Sequence, residues 1–387
     1  MKEHWIADRM RRVEASGIRR AFELAKSMKD PINLSIGLPD FDVPDMLKEA
    51  ACEAIRAGRN AYTLTLGEPE LRRRIEADVH ARFPHEHRQV IVTAGTAGAL
   101  LLSLCSTVNP GDEVIVFDPY FVMYNNLIAL AGGEPVLVET YPDFRLSTER
   151  VAQAITARTK CVIVNSPGNP TGVVATAAEM KALAELCRER HLLLISDEVY
   201  RAFSYDGPCP SPATWNEHVL VVDGFSKTYG MTGWRLGYAH GPGPLIQEMA
   251  KLQQFSFVCA PSPLQHAVID AFTVDLSGQI NAYRGKRDRV VEALGGLYEL
   301  SATDGAFYAF PKVPAGWPSA TEFAAEAARH DLLIIPGNVF SRRDTHFRLS
   351  YAVDDRTLER GLEVLKHLAQ SRSSATRPPI PHSNEVN

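Results

Sequence analysis

The sequence predicts an α/β protein: a mostly parallel sheet covered by helices on both faces, followed by a smaller α+β region. Three observations predict it. Short apolar runs alternate with longer helical stretches through the middle of the chain. Those runs are apolar throughout, which marks strands buried on both faces. After about residue 275 the strand runs shorten and the regular alternation is lost. In order, residues 90–92 form a strand leading into a helix near 97–108. A strand at 113–117 precedes a helical stretch to about Ala131, and 135–138 is the next strand. Strands at 161–165 and 192–196 flank the helical pattern 177–191, and 219–222 follows. A helix near 279–298 opens the second region, whose strand runs are 306–310, 332–335 and 347–351. This divides the chain into a large domain, residues 45–275, and a small domain of residues 1–44 and 276–370. Residues 371–387, rich in Ser, Pro and polar residues, are expected to be disordered.

A chain of 387 residues has room for two such domains. With 45% hydrophobic and 22% charged residues it falls among ordinary globular proteins. Its net charge of -5 argues against a general nucleic-acid binder. No apolar run approaches the length of a membrane span, and the first twelve residues carry charges in place of a signal-peptide core. Cys52, Cys105, Cys161, Cys187, Cys209 and Cys259 are scattered, with no CxxC pair. Most sit in apolar runs, which predicts buried thiols in a reducing cytoplasm. No acidic or sulfur cluster has metal-ligand spacing. His85 and His87 belong to a solvated loop, and Arg72 to Arg74 to the wet face of a helix.

The chemically suggestive residues fall mainly at the ends of the strands, where open parallel sheets bind ligands. Lys227 stands in Val222-Asp223-Gly224-Phe225-Ser226-Lys227-Thr228-Tyr229, just past a buried strand. Its small and apolar neighbours suit a partly desolvated, nucleophilic amine. Taken alone it is an ordinary lysine. Arg235 follows in Met231-Thr232-Gly233-Trp234-Arg235, and the intervening turn can bring a guanidinium back beside the lysine to clamp a phosphate. The stretch Thr93-Ala94-Gly95-Thr96-Ala97-Gly98-Ala99 joins a strand to a helix. Its small residues let backbone N–H groups approach an anion, although the same pattern serves a plain tight turn. Asp197 closes the apolar run 192–196, where an acid has little structural reason to stand unless it caps a helix or pairs at a strand end. Asn169, in Asn165-Ser166-Pro167-Gly168-Asn169-Pro170-Thr171-Gly172, is by its bare sequence part of a turn. Arg348 alternates against Phe347 and Leu349 and has the planar fork that suits a carboxylate; an outward surface arginine shows the same pattern.

Ser226-Lys227-Thr228 followed by Met231-Thr232-Gly233-Trp234-Arg235 resembles the lysine signature of the class I and II aminotransferases, of pyridoxal 5′-phosphate (PLP) fold type I. Separated motifs stand in that family's order from about Leu34 to about Val353, most of the chain. The resemblance implies a role for each candidate. Lys227 carries the cofactor as a Schiff base and moves protons during catalysis. The backbone of Gly95, Thr96 and Ala97, with Ser226 and Arg235, holds its phosphate. Asp197 pairs with the pyridine nitrogen, and Tyr200 and Asn169 reach the ring oxygen. Phe121 covers the ring face, with Tyr120 as the alternative. Arg348 and the backbone at Gly37 take the substrate carboxylate, and Asn169 also faces the substrate. Tyr62 resembles a tyrosine that crosses into the neighbouring subunit's phosphate site, so a homodimer with shared active sites is implied. One position departs from the pattern: many relatives carry a serine three places before the lysine, where this chain has Gly224. The implied activity is transfer of an amino group from an L-amino acid to a 2-oxo acid, without nucleic-acid or membrane partners. The alternatives are a PLP-dependent carbon–sulfur β-lyase of the same fold and a non-catalytic sensor or scaffold. Residues near Leu38, Asn338 and Phe340 are candidates for the side-chain pocket.

Overall fold

Every strand of the central sheet contributes to two cores at once, which is why its sequences read as continuous apolar runs. The computed structural model describes residues 4–14, 17, 28–85 and 87–373. Its strands are β1 Ile32–Asn33, β2 Arg88–Thr93, β3 Glu113–Asp118, β4 Glu134–Glu139, β5 Thr159–Asn165 and β6 Leu193–Asp197. They continue with β7 Leu220–Gly224, β8 Gly237–Pro242, β9 Tyr308–Ala309, β10 Leu332–Leu333, β11 Ile335–Pro336 and β12 Phe347–Ser350. The seven-stranded sheet has the order β2-β8-β7-β6-β5-β3-β4. On one face Val90, Val92, Ile115, Val162 and Val221 join the cluster around Leu71, Ile75 and Leu183. On the other, Ile91, Val114, Val116, Ile163 and Leu220 join the cluster around Leu100, Ile128 and Met249. Side chains alternate across a strand, so both faces must be apolar when helices cover both.

All neighbours in this sheet are parallel except β8, which runs antiparallel to both β2 and β7. β8 does not stand out in the sequence, because three of its six residues are Gly or Pro. Its glycines answer a close approach. A Cβ at Gly237 would stand 2.6 Å from the carbonyl carbon of Gly95 and 2.7 Å from the amide nitrogen of Thr96. The helix Gly95–Thr107 is thereby held tightly against the sheet.

Beyond the helix Ser277–Leu294, the order β11-β12-β9 makes a three-stranded antiparallel sheet. β1 pairs in parallel with β10, and Ile32 and Leu34 enter the core that Phe307, Phe323, Phe347 and Leu365 form. The N-terminal segment also reaches the large sheet, where Arg12 donates to the Gly133 carbonyl at 2.8 Å and pairs with Glu134 at 2.9 Å. The last helix runs from Asp355 to Ser373, so the first residues of the tail expected to be disordered are helical. Residues 374–387 lie outside the described residues. The cysteines correct an expectation. Only Cys161 and Cys187 are fully buried, while Cys52 and Cys105 are exposed on helices that present one face to solvent. Among the described residues, no helix is long and apolar enough to cross a membrane.

Candidate active site

The parallel register brings three strand ends to one level. Asn165 at the end of β5 stands opposite Asp197 at the end of β6, and Asp197 stands opposite Val222 of β7. The chain leaves β7 at Gly224 and turns at once into the short helix Phe225–Thr228, which carries Lys227 over these ends. A cleft of about 1300 Å³, open to solvent, lies above them.

Lys227 donates to the Gly37 carbonyl at 2.7 Å. Burial, reinforced by the positive charges of Arg348 and Arg235, lowers its amine to about 8. Asp197 is buried and accepts from the Tyr124 hydroxyl at 2.8 Å and from the Val199 N–H at 3.3 Å. Desolvation outweighs these two donors and raises its carboxyl to about 6. Asn165 fixes the local backbone by donating to the Asp197 carbonyl at 2.9 Å and accepting from the Asn169 N–H at 2.8 Å. Asn169 also reaches the Tyr200 hydroxyl at 3.5 Å, and Tyr200 shares a 2.9 Å hydrogen bond with Tyr308.

Arg348 lies on β12 between Phe347 and Leu349, which point into the core on the other side. It is 1% exposed, yet among the described residues no acid pairs with it. Its Nη1 donates to Asn169 Oδ1 at 3.0 Å and its Nη2 to the Ser35 carbonyl at 2.7 Å, while Nε has no partner.

Arg235 takes a left-handed conformation, φ 57°, after the turn Thr232–Trp234. It donates only to backbone, the Thr232 carbonyl at 3.0 Å and the Ala94 carbonyl at 3.4 Å. Gly95, at φ 72°, lies directly beneath it, and a Cβ there would come within 2.6 Å of the guanidinium. The N-terminus of the helix Gly95–Thr107, this guanidinium and the Ser226 hydroxyl, which has no hydrogen-bond partner among the described residues, therefore converge on one end of the cleft. That is a donor set for an anion. A side chain in place of Gly224 would be crowded. A Cβ there would lie 3.0 Å from the Gly237 Cα and 3.2 Å from the Leu236 carbonyl oxygen.

Of the candidates named from sequence, Gly37, Thr96, Ala97, Phe121, Asn169, Asp197, Tyr200, Ser226, Lys227, Arg235 and Arg348 line this one cleft, and Gly95 supports it. Tyr62 stands apart from it and is 80% exposed. Tyr120 lines a separate small cavity behind Phe121, so it is Phe121 that faces the cleft. Leu38 lines the cleft and Phe340 packs against Arg348. Asn338 turns away to donate to Thr321 at 3.0 Å and borders another groove. Sequence reasoning missed Tyr124, Tyr308, Ser35 and the lining residues Ile36 and Met123. Among the described residues, no group of His, Cys, Asp and Glu has the arrangement of a metal site.

PLP requires an anion cradle, a reactive amine, an acid for a ring nitrogen and donors for a ring oxygen. Among the described residues Arg235 has no acidic partner and Ser226 no hydroxyl partner, and these two with the buried Asp197 fit that group.

The family model for aminotransferase class I and II matches residues 29–365. A probable aspartate aminotransferase of Methanocaldococcus jannaschii is 34% identical over 94% of this chain and 99% of its own. A probable aspartate/prephenate aminotransferase of Thermus aquaticus is 38% identical over 89% of this chain and 93% of its own. Among solved structures, the aspartate aminotransferase of Thermus thermophilus with maleate superposes with a TM-score of 0.88. It is 35% identical and covers 94% of this chain and 99% of that one.

Proposed function

Because this chain belongs to the aminotransferase class I and II family and is therefore an enzyme of amino-group transfer, we propose that the transfer takes place in the Lys227 cleft with PLP as cofactor. The observation that carries this reading is the charge arrangement. Lys227, Arg235 and Arg348 reach one cleft, and among the described residues none of the three has an acidic hydrogen-bond or ion-pair partner. Cations left unpaired in this way are matched by two anions, a cofactor phosphate and a substrate α-carboxylate.

On this reading Arg235, Ser226 and the backbone of Gly95, Thr96 and Ala97 hold the phosphate. Asp197 pairs with the ring nitrogen, Tyr200 and Asn169 with the ring oxygen, and Phe121 covers the ring. Bound PLP supplies an electron-withdrawing ring that stabilises negative charge at the substrate α-carbon. Asp197 keeps its charge through the hydrogen bond from Tyr124, and so holds a proton on the ring nitrogen. Arg348 orients the donor by its carboxylate, with its guanidinium plane fixed by Asn169 and Ser35. Lys227 Nζ takes the α-proton and returns it, as an amine lowered to about 8 can do near neutral pH. Substrates are an L-amino acid and a 2-oxo acid. The large domain of residues 45–275 bears Lys227, and the small domain, residues 1–44 and 276–370, bears Arg348. Two copies share their sites through Tyr62.

An absorbance spectrum of the PLP-loaded protein tests this. A visible band should give way to a near-ultraviolet band on adding a pool of L-amino acids, and return with 2-oxoglutarate or pyruvate. Lys227→Ala should lack the visible band. A band that persists while pyruvate and ammonia accumulate would indicate a lyase, and a protein that takes up no PLP would overturn the reading.

A further inference from the structure

Hydrogen bonds fix two nitrogens of Arg348, but its plane is set by two rings. Its Cζ stands 4.6 Å from the ring centre of Tyr308 and 4.7 Å from that of Phe340. Tyr308 is tied to the site itself, through Tyr200. Phe340 is tied to the carboxyl ends of β3 and β4. Its carbonyl accepts the Tyr120 N–H at 2.7 Å. The Arg342 N–H donates to Asp118 Oδ2 at 3.2 Å, and the Ser341 hydroxyl lies beside the same carboxyl. Ser341 also accepts from the Tyr141 hydroxyl at 2.9 Å. Arg343 reaches both oxygens of Glu139, at 2.7 and 3.2 Å, with its guanidinium 4.6 Å from the Tyr141 ring centre.

At the centre of this fastening is a carboxyl that stability alone does not explain. Asp118 is fully buried and, among the described residues, has no cation in an ion pair and leaves Oδ1 without a partner. A buried, half-satisfied carboxyl lowers stability. Its place in the chain gives it another use. It ends β3, three residues before Phe121, and holds the turn that follows Phe340. One carboxyl therefore joins the segment that faces the cofactor end of the cleft to the wall of the arginine at the other end.

We propose that Asp118 is a positioning residue: through residues 341–343 it sets Phe340 against Arg348, and so sets the geometry in which Arg348 receives the substrate carboxylate. This rests on the reading of Arg348 as the carboxylate clamp. A wall displaced by a fraction of an ångström weakens substrate binding while the reacting groups around Lys227 stay in place.

The test uses PLP-loaded protein and the L-amino acid that converts the wild type fastest, followed by absorbance. In Asp118→Asn the half-saturating concentration should rise about tenfold, with the limiting rate within about threefold. The PLP dissociation constant should stay within about twofold. Calorimetric titration with the 2-methyl analogue of that amino acid, which keeps the carboxylate but has no α-hydrogen to lose, should show the same tenfold weakening. A merely structural role would lower the melting temperature and leave that ratio alone. Should Asp118→Asn fail to fold, Ser341→Ala and Arg343→Gln each remove one contact of the same turn, and about threefold weakening is expected of each. Unchanged half-saturation in folded Asp118→Asn, or in both single-contact variants, overturns the positioning role alone. A wild type that converts no L-amino acid overturns the transfer reading, and this proposal with it.

Discussion

Burial raises the Asp197 carboxyl to about 6 because the Tyr124 hydroxyl and the Val199 N–H compensate only part of its lost hydration. Without cofactor, the folded chain therefore binds more protons than the unfolded chain between about pH 4 and pH 6. Its stability falls as pH rises through that window, and the whole cost of about 3 kcal/mol is present at neutral pH. Asp197→Asn removes the charge and should raise the melting temperature of the cofactor-free protein at pH 7.5. The gain should vanish near pH 4, and amino transfer should fall by about a thousandfold. Thermal melts across pH together with half-reaction rates check both arms; a variant no more stable at pH 7.5 than wild type sinks the argument. Lys227 has the opposite sign. Its amine is held down to about 8 by burial and by Arg348 and Arg235, and it is nucleophilic once the proton is lost. Capture of PLP by the cofactor-free protein should quicken about tenfold per pH unit up to about 8 and level off above it. Arg348→Gln should move that bend to higher pH, because one repelling cation is gone. Lys227 and Asp197 were legible through the motifs that resemble the family's, since taken alone a lysine past a strand and an acid at a strand end both have ordinary readings. Tyr124 and Tyr308 were not, since an aromatic on a helix or strand obeys the rule for core residues. Only the tertiary fold aims their hydroxyls at Asp197 and Tyr200.

Among elements, the junction of β7, β8 and the helix Gly95–Thr107 decides how an anion can be held. Gly224 faces Gly237 across β7 and β8, and Gly237 in turn presses on Gly95. A serine at 224 would therefore require β8 or the helix to give by about a few tenths of an ångström, whatever hydrogen bond it offered. Gly224→Ser should weaken PLP binding and destabilise the fold by about 1–3 kcal/mol. Ser226 lines the cleft beside Lys227 with an unpartnered hydroxyl, so Ser226→Ala should weaken PLP binding by about ten- to a hundredfold, as loss of a hydrogen bond to a charged group does. Equilibrium PLP titrations and denaturant melts of the two variants settle this. Tighter PLP binding in Gly224→Ser would show that the packing argument is wrong. At this scale the parallel strands were legible from their apolar runs, while β8 was not. Strand propensity disfavours its two glycines and proline, and the contact that requires glycine there comes from a helix more than a hundred residues earlier.

At the scale of the molecule, the described surface has an apolar face that a lone chain does not explain. Tyr62 and Leu64 are 80% and 63% exposed, and Phe255 and Phe257 are 86% and 39% exposed. The two segments are bound into one face, since Gln253 donates to the Thr65 carbonyl at 2.6 Å and Gln265 to the Thr63 hydroxyl at 3.1 Å. The same segment reaches towards the Arg235 end of the cleft, because the Leu66 carbonyl accepts the Val92 N–H at 2.9 Å on the strand that leads to Gly95. An exposed apolar face of this kind marks an interface, and a self-complementary one gives a two-fold dimer. The face would carry Tyr62 of each copy towards the other's cleft. Leu64→Asp should shift the protein from dimer to monomer in light scattering and lose PLP as it does so. Sites shared in this way would have a sharper consequence. When Lys227→Ala and Tyr62→Ala subunits are mixed and allowed to exchange, each hybrid dimer contains one site with both defects and one with neither. Random pairing then restores PLP-dependent half-reaction amplitude to about a quarter of wild type. If Tyr62 serves only its own subunit, every site in the hybrid keeps one defect, and the mixture does no better than the average of its parents.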